Sequence, residues 1–233
     1  DKLGACLGAM LGYNFGSRVS NFVRGAASTE DHSVYTGDLA FAVGGGTGIQ
    51  RFRGTALTAA LEEVGVNVIK GEFHLVRTKT GRAVEALCID SGQGDERRLL
   101  DAVVAWIRIS RTKDDEPLLT RYAPVRPGRA GAGGGFRRRL ITRTDVTKVI
   151  KAAVVALGLP AERFSSKSFR IGVASSEAMT DANKDRSAGW STNSRTRVEH
   201  YDQRDRRGRT AADAGADSGM LGKLLSRCLG GGQ

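Results

Sequence analysis

Cysteine, histidine and long apolar runs are all scarce in this sequence, and each shortage removes a class of chemistry. The three cysteines, Cys6, Cys88 and Cys228, are too few and too scattered for a disulfide scaffold or a CxxC zinc site. They fit a reducing intracellular compartment. The three histidines, His32, His74 and His200, never pair at i, i+4. No HExxH-type metal site follows, and no metal or cofactor is expected. No apolar run approaches the ~20 residues a membrane helix needs, which excludes an integral helical membrane protein. Nucleotide-binding glycine signatures are also missing. Gly44-Gly45-Gly46-Thr47-Gly48 is not followed by Lys-Ser/Thr and does not fit GxGxxG, so it reads as a flexible loop.

What the chain has in quantity is positive charge. Lys plus Arg is 36 against 25 for Asp plus Glu, a formal net charge of +11. That balance points to an anionic partner, nucleic acid first and an anionic membrane surface second. Hydrophobic residues at 40% and charged residues at 26% describe a folding chain rather than a disordered one. A length of 233 residues suits one large domain or two small ones. The opening residue is Asp1 rather than Met, which leads us to expect a fragment of something longer.

Periodicity predicts a mainly α chain with a small antiparallel sheet inserted early, an α+β fold. Leu3, Leu7, Met10, Leu11 and Phe15 mark a helix within residues 3–24, with glycines at 4, 8, 12 and 16 that permit close packing. Asp38–Val43 reads as a strand, and Leu57–Val64 as a helix or loop-side segment. Glu72–Arg77 and Ala83–Ile89 read as a hairpin with Thr78-Lys79-Thr80-Gly81 at its turn. Leu100, Val103, Val104 and Ile107 form an amphipathic stripe. Val146, Val149, Ile150 and Val154 nearly repeat it, with a threonine N-cap near 142–144 and Gly158 then Pro160 as a stop. A further helix is expected from about Ser168 to Met179, and a last amphipathic one at Leu221, Leu224, Leu225 and Cys228. Pro127–Gly135 reads as a loop running into Arg137, Arg138 and Arg139, a basic stretch placed to touch phosphates.

Four short strings carry chemistry when read together. They are Phe15-Gly16-Ser17-Arg18-Val19-Ser20, Val76-Arg77-Thr78-Lys79-Thr80-Gly81, Lys167-Ser168-Phe169-Arg170-Ile171-Gly172, and Gly189-Trp190-Ser191 followed by Tyr201. Two arginines can grip phosphate oxygens bidentately. A lysine on a turn can protonate a leaving oxygen. An indole N–H can donate to a phosphate oxygen, although Trp190 is equally at home in a core. A tyrosine can serve as nucleophile.

This order resembles the catalytic domain of the tyrosine recombinases, the phage-integrase family, most closely those of eukaryotic mobile elements. The resemblance implies that fold over residues 1–205, with 206–233 a basic tail ending in an amphipathic helix. It implies Arg18, Lys79, Lys167, Arg170, Trp190 and Tyr201 as catalytic residues. Arg53 competes with Arg18 for the first arginine; the Arg-Val-Ser string after an apolar helix favours Arg18. The implied activity is site-specific DNA recombination or integration through a 3′-phosphotyrosine. The implied partners are double-stranded DNA and further copies of the chain, a tetramer on two duplexes, in the nucleus. Arg137, Arg138, Arg139, Arg204, Arg206 and Arg207 are the expected DNA-backbone contacts. The rival readings are an inactive DNA-binding remnant of a mobile element, a type IB topoisomerase-like enzyme, and a basic structural or RNA-binding protein.

Overall fold

The computed structural model describes residues 2–23, 33–45, 48–62, 67–76, 87–90, 95–124, 136–175, 180–188, 190 and 195–201. Lys79, Arg204 and the whole of the expected tail, with Arg206, Arg207 and the segment around Leu221–Cys228, lie outside the described residues.

Helix α1, Lys2–Phe15, organises the rest. It buries Gly4, Ala5, Leu7, Gly8, Met10, Leu11, Gly12 and Phe15 among others, so nearly every side faces protein. A helix that is apolar all round belongs inside a core. Glycines at every fourth position fall on one face, where neighbours close in. A Cβ on Gly4 would stand 2.5 Å from Ile141 and 2.6 Å from Trp106. On Gly8 it would meet Leu119 and Val146 at 3.1 Å, and on Gly12 it would meet Phe169 at 2.9 Å.

Those neighbours belong to three further helices and their approaches. Helix α3, Asp95–Ser110, buries Leu99, Leu100, Val103, Trp106 and Ile107, and the Trp106 indole donates to the carbonyl of Leu118 at 2.7 Å. Helix α4, Arg143–Ala156, is capped by Thr142, which exchanges hydrogen bonds with Asp145. It ends before Gly158, whose φ of +72° only glycine adopts readily. Helix α5, Ser168–Ser175, contributes Phe169. It begins at the expected residue, and residues 176–179, the remainder of the expected helix, lie outside the described residues. A short α2, Ala56–Ala60, and the polar α6, Asp181–Ala188, complete the α-helices among the described residues.

The four-stranded sheet has the order β2-β1-β3-β4 and is antiparallel throughout. Its strands are β1 Leu39–Gly45, β2 Gly48–Arg53, β3 Asn67–Phe73 and β4 Leu87–Asp90. Two expectations are corrected here. Gly44, Gly45 and Gly48 of the glycine cluster are strand rather than loop: β1 runs through Gly45, which pairs with Gly48 at the start of β2, while Gly46 and Thr47 lie outside the described residues. Strand β3 starts at Asn67 rather than Glu72, because Val68, Gly71 and Phe73 face the core while pairing with β1. The inner face of the sheet carries Leu39, Phe41, Val43, Phe73 and Ile89, and the Phe73 ring meets Phe15 of α1 at 5.5 Å.

A second, two-stranded ribbon pairs β5 Thr120–Pro124 with β6 Phe136–Leu140. The arginine run expected as a loop is therefore strand. Arg138 is used internally: it binds the Glu116 carboxylate and donates to the carbonyls of Arg111 at 2.7 Å and Ser110 at 3.3 Å. The Lys113 N–H holds the Glu116 carboxyl below its ordinary pKa; burial opposes that shift, and Arg138 adds to it. The fold is thus α+β, with more sheet than periodicity indicated. No described helix is long and apolar enough to cross a membrane.

Two glycines give opposite predictions. Gly4→Ala gains about 1 kcal/mol of helix propensity but overpacks Trp106 and Ile141 by roughly 1–3 kcal/mol, so urea unfolding is expected to show a net loss. At Gly172, within α5, a Cβ meets nothing within 4 Å. Gly172→Ala is expected to raise stability by about 0.5–1 kcal/mol in the same assay.

Candidate active site

The chain leaving α1 reaches the site because of one glycine. Gly16 has φ +54°, and a Cβ there would strike Val173 of α5 at 2.5 Å. The missing side chain lets the end of α1 lie directly on α5. Two residues on, Arg18 stands exposed at the start of a 3₁₀ turn, Val19–Asn21.

Serines fix the turn that leads into helix α5. Ser165 Oγ accepts from the Lys167 N–H at 3.2 Å, and Ser168 Oγ accepts from the Ser165 N–H at 3.0 Å. Arg143 of α4 steadies the same turn by donating to Ser166 Oγ at 2.8 Å. Lys167 and Arg170 therefore share one helical turn, Lys167 exposed and Arg170 only 5% exposed.

Arg170 is the centre of the cluster. Its guanidinium carbon lies 4.3 Å from the centroid of the Trp190 ring and 5.2 Å from that of Tyr201. The two rings are 5.4 Å apart at 51°. Lys167 Nζ stands 5.4 Å over the Tyr201 ring. Burial first, and the neighbouring charge of Arg18 second, lower the Arg170 pKa to about 10. The hydrogen bond to Tyr201 works against that shift. The Trp190 indole N–H is shielded from solvent and has no acceptor among the described residues. Leaving such a donor unmade costs about 1–3 kcal/mol.

Arg18, Lys167, Arg170, Trp190 and Tyr201 thus come together from three separate stretches of chain. Arg53 does not join them through any described contact. It sits on β2 with Arg51, lining a cavity with His74, while it is Arg18 whose charge acts on Arg170. Arg137 and Arg139 are exposed on β6, whereas Arg138 is engaged as described above.

Sequence reasoning missed the charged support beneath Trp190 and Tyr201. Tyr201 closes a single π-helical turn, Arg197–Tyr201, a form common at functional sites. Arg197 is 2% exposed and donates to Asp185 at 2.7 Å and to Asp181 at 3.2 Å. Burial pulls its pKa down, but the two carboxylates outweigh that and raise it. Asp185 also accepts the Trp190 backbone N–H on its carbonyl at 2.8 Å. Lys184, fully buried, stands 3.6 Å from Asp181. Helix α6 therefore tethers both aromatics, and Ser175 Oγ adds a 3.4 Å bond to the Tyr201 carbonyl. The available signal was the i, i+3, i+4 charge pattern of Asp181, Lys184 and Asp185, which reads as a solvated face. Among the described residues no group of three or more His, Cys, Asp or Glu is placed to hold a metal.

Chemically, the cluster is a cationic, half-sheltered seat for an anion beside a phenol. Arg170 accepts a proton less readily in the fold than when unfolded, so its buried charge opposes folding below about pH 10, and that opposition fades as pH rises further. An anion bound beside it reverses the sign. Inorganic phosphate at ten times its Kd is expected to stabilise the chain by about 1.4 kcal/mol near pH 8. The gain should shrink as pH passes about 10 and be absent in Arg170→Met, all read by thermal unfolding.

The support has its own prediction. Asp185→Ala leaves the buried Arg197 charge with only the more exposed Asp181, and urea unfolding is expected to show a loss of about 3 kcal/mol. Compared with protein-family models, curated proteins and solved structures, the chain matches none of them, so its own residues carry the functional reading.

Proposed function

We propose that the chain is a tyrosine-recombinase catalytic domain that cleaves and rejoins DNA through Tyr201. The observation that carries the reading is the packing of the Arg170 guanidinium against both Trp190 and Tyr201, with Lys167 above the same phenol ring. The strings that resemble the recombinase family are the ones that supply these side chains.

In this scheme Arg18 and Arg170 clamp the non-bridging oxygens of one phosphodiester and stabilise charge as it develops. The buried Trp190 N–H gains the acceptor it lacks. The Tyr201 oxygen attacks phosphorus, the phenolic proton leaves to water, and the bond to the 5′ oxygen breaks. Lys79 returns a proton to that 5′ oxygen, and Lys167 adds positive charge. The phosphotyrosine keeps the energy of the broken bond, so a second 5′ hydroxyl can reverse the step without a nucleotide. Recombination would then take several copies on two duplexes, with the exposed Arg137 and Arg139 as further backbone contacts.

A pool of nicked duplexes of randomised sequence tests the proposal. The short piece beyond the nick diffuses away after cleavage and traps the intermediate. The wild-type chain is expected to give a protein–DNA adduct that survives denaturing electrophoresis. Tyr201→Phe is expected to give none while still binding DNA, and Arg170→Gln to slow adduct formation by about 10²–10³-fold. Salt-sensitive binding with no adduct from the wild type would leave a DNA-binding remnant in place of an enzyme.

A further inference from the structure

The outer face of the four-stranded sheet carries a basic groove that the proposed chemistry does not use. In register, Arg53 of β2 lies across from Ala40 of β1, which lies across from Glu72 of β3; in the next row stand Arg51, Ala42 and Lys70. Ala40, Arg51, Arg53 and His74 line a cavity of about 340 Å³. The floor is low because the central strand places alanines between larger neighbours. Ala40 is buried even on this outward face.

The charged residues of β2 are all positive. Glu72 gathers its neighbours: Arg51 contacts it, Lys70 lies at 3.4 Å and His74 at 3.8 Å. The two arginines are at one edge of the sheet, on β2. Arg51 is 63% exposed although paired, and Arg53 has no carboxylate partner among the described residues. Two arginines two positions apart on one strand are separated by about 6.8 Å along it. That interval is comparable to the step between successive phosphates of a nucleic-acid strand. It suits a polymer of phosphates better than one isolated anion.

We propose that this groove binds the sugar–phosphate backbone of duplex DNA, with Arg51 and Arg53 on two successive phosphates and His74 beside them. The choice of DNA over other polyanions rests on the recombinase reading. The assignment of the face rests only on the groove and its arginines. Edge strands also use basic residues simply to discourage pairing with other chains, and that role predicts no change in DNA binding.

The experiment measures binding of a 30-base-pair duplex of random sequence (about three helical turns) between roughly 50 and 200 mM salt, alongside the adduct assay. In Arg51→Gln/Arg53→Gln the slope of log K against log salt is expected to fall in magnitude by about 2, roughly 0.9 for each phosphate left without its arginine. Affinity near 0.1 M salt should drop by about 10–100-fold, and adduct yield at saturating DNA should not change. Arg53→Gln alone leaves the Arg51–Glu72 pair in place and should lower the slope by about 1, which separates an unneutralised phosphate from a disturbed fold. Unchanged slopes in both variants, with wild-type binding intact, overturn the groove assignment alone. A reduced slope from a chain that never forms an adduct supports the groove and removes the chemistry proposed for Tyr201. Loss of binding to phosphatidylserine vesicles, with DNA binding untouched, assigns the face to a membrane surface and overturns the proposal.

Discussion

The structure depends on how closely other elements approach α1. Gly4, Gly8 and Gly12 give the helix a side with no side chains, and Trp106, Ile141, Val146, Leu119 and Phe169 fill that space. Larger residues there would hold α3, α4 and α5 away from the axis. Gly16 continues the series in another way, by ending the helix and letting the chain run onto Val173. The distance between Arg18 and Arg170 is therefore set by the Gly16 backbone lying against the β-branched side chain of Val173, which is stiffer than contact through two flexible side chains.

Two buried arginines show what the fold does with charge. Arg197 is enclosed with two carboxylates and held more firmly cationic than usual. Arg170 is enclosed with two aromatic rings and another arginine nearby, and is held less firmly. The first arrangement is internally satisfied and serves as a fastening. The second is faced by aromatic rings and by the charge of Arg18, and is the one the proposed chemistry uses. The contrast arises within one small region, so burial alone does not account for it.

The amphipathic helices were legible in the sequence because their stripes are what α3 and α4 bury, and the Thr142 cap could be read from residue type. The strings around Arg18, Lys167–Arg170, Trp190 and Tyr201 led to side chains that lie together in the fold. Other features left no such trace. Strand β2 is exposed along nearly its whole length and shows no apolar alternation. Strand β6 is dominated by arginines, which read as a solvated loop until Arg138 finds Glu116 across 22 positions. Helix α6 is held by buried ion pairs instead of an apolar face, and Arg197 meets Asp185 only after the chain turns back. In each case the missing information is a long-range partner.

The tether on Asp185 bears on kinetic order. Trp190 hangs from the Asp185 carbonyl and the Tyr201 turn from its carboxylate, and both lie against Arg170 of the same chain. In the proposed reaction, phenol and cation clamp would thus be supplied by one molecule. An attack assembled this way would be first order in the chain, and dilution would leave its rate on a bound phosphate unchanged. Dependence on concentration then enters only where separate copies must meet.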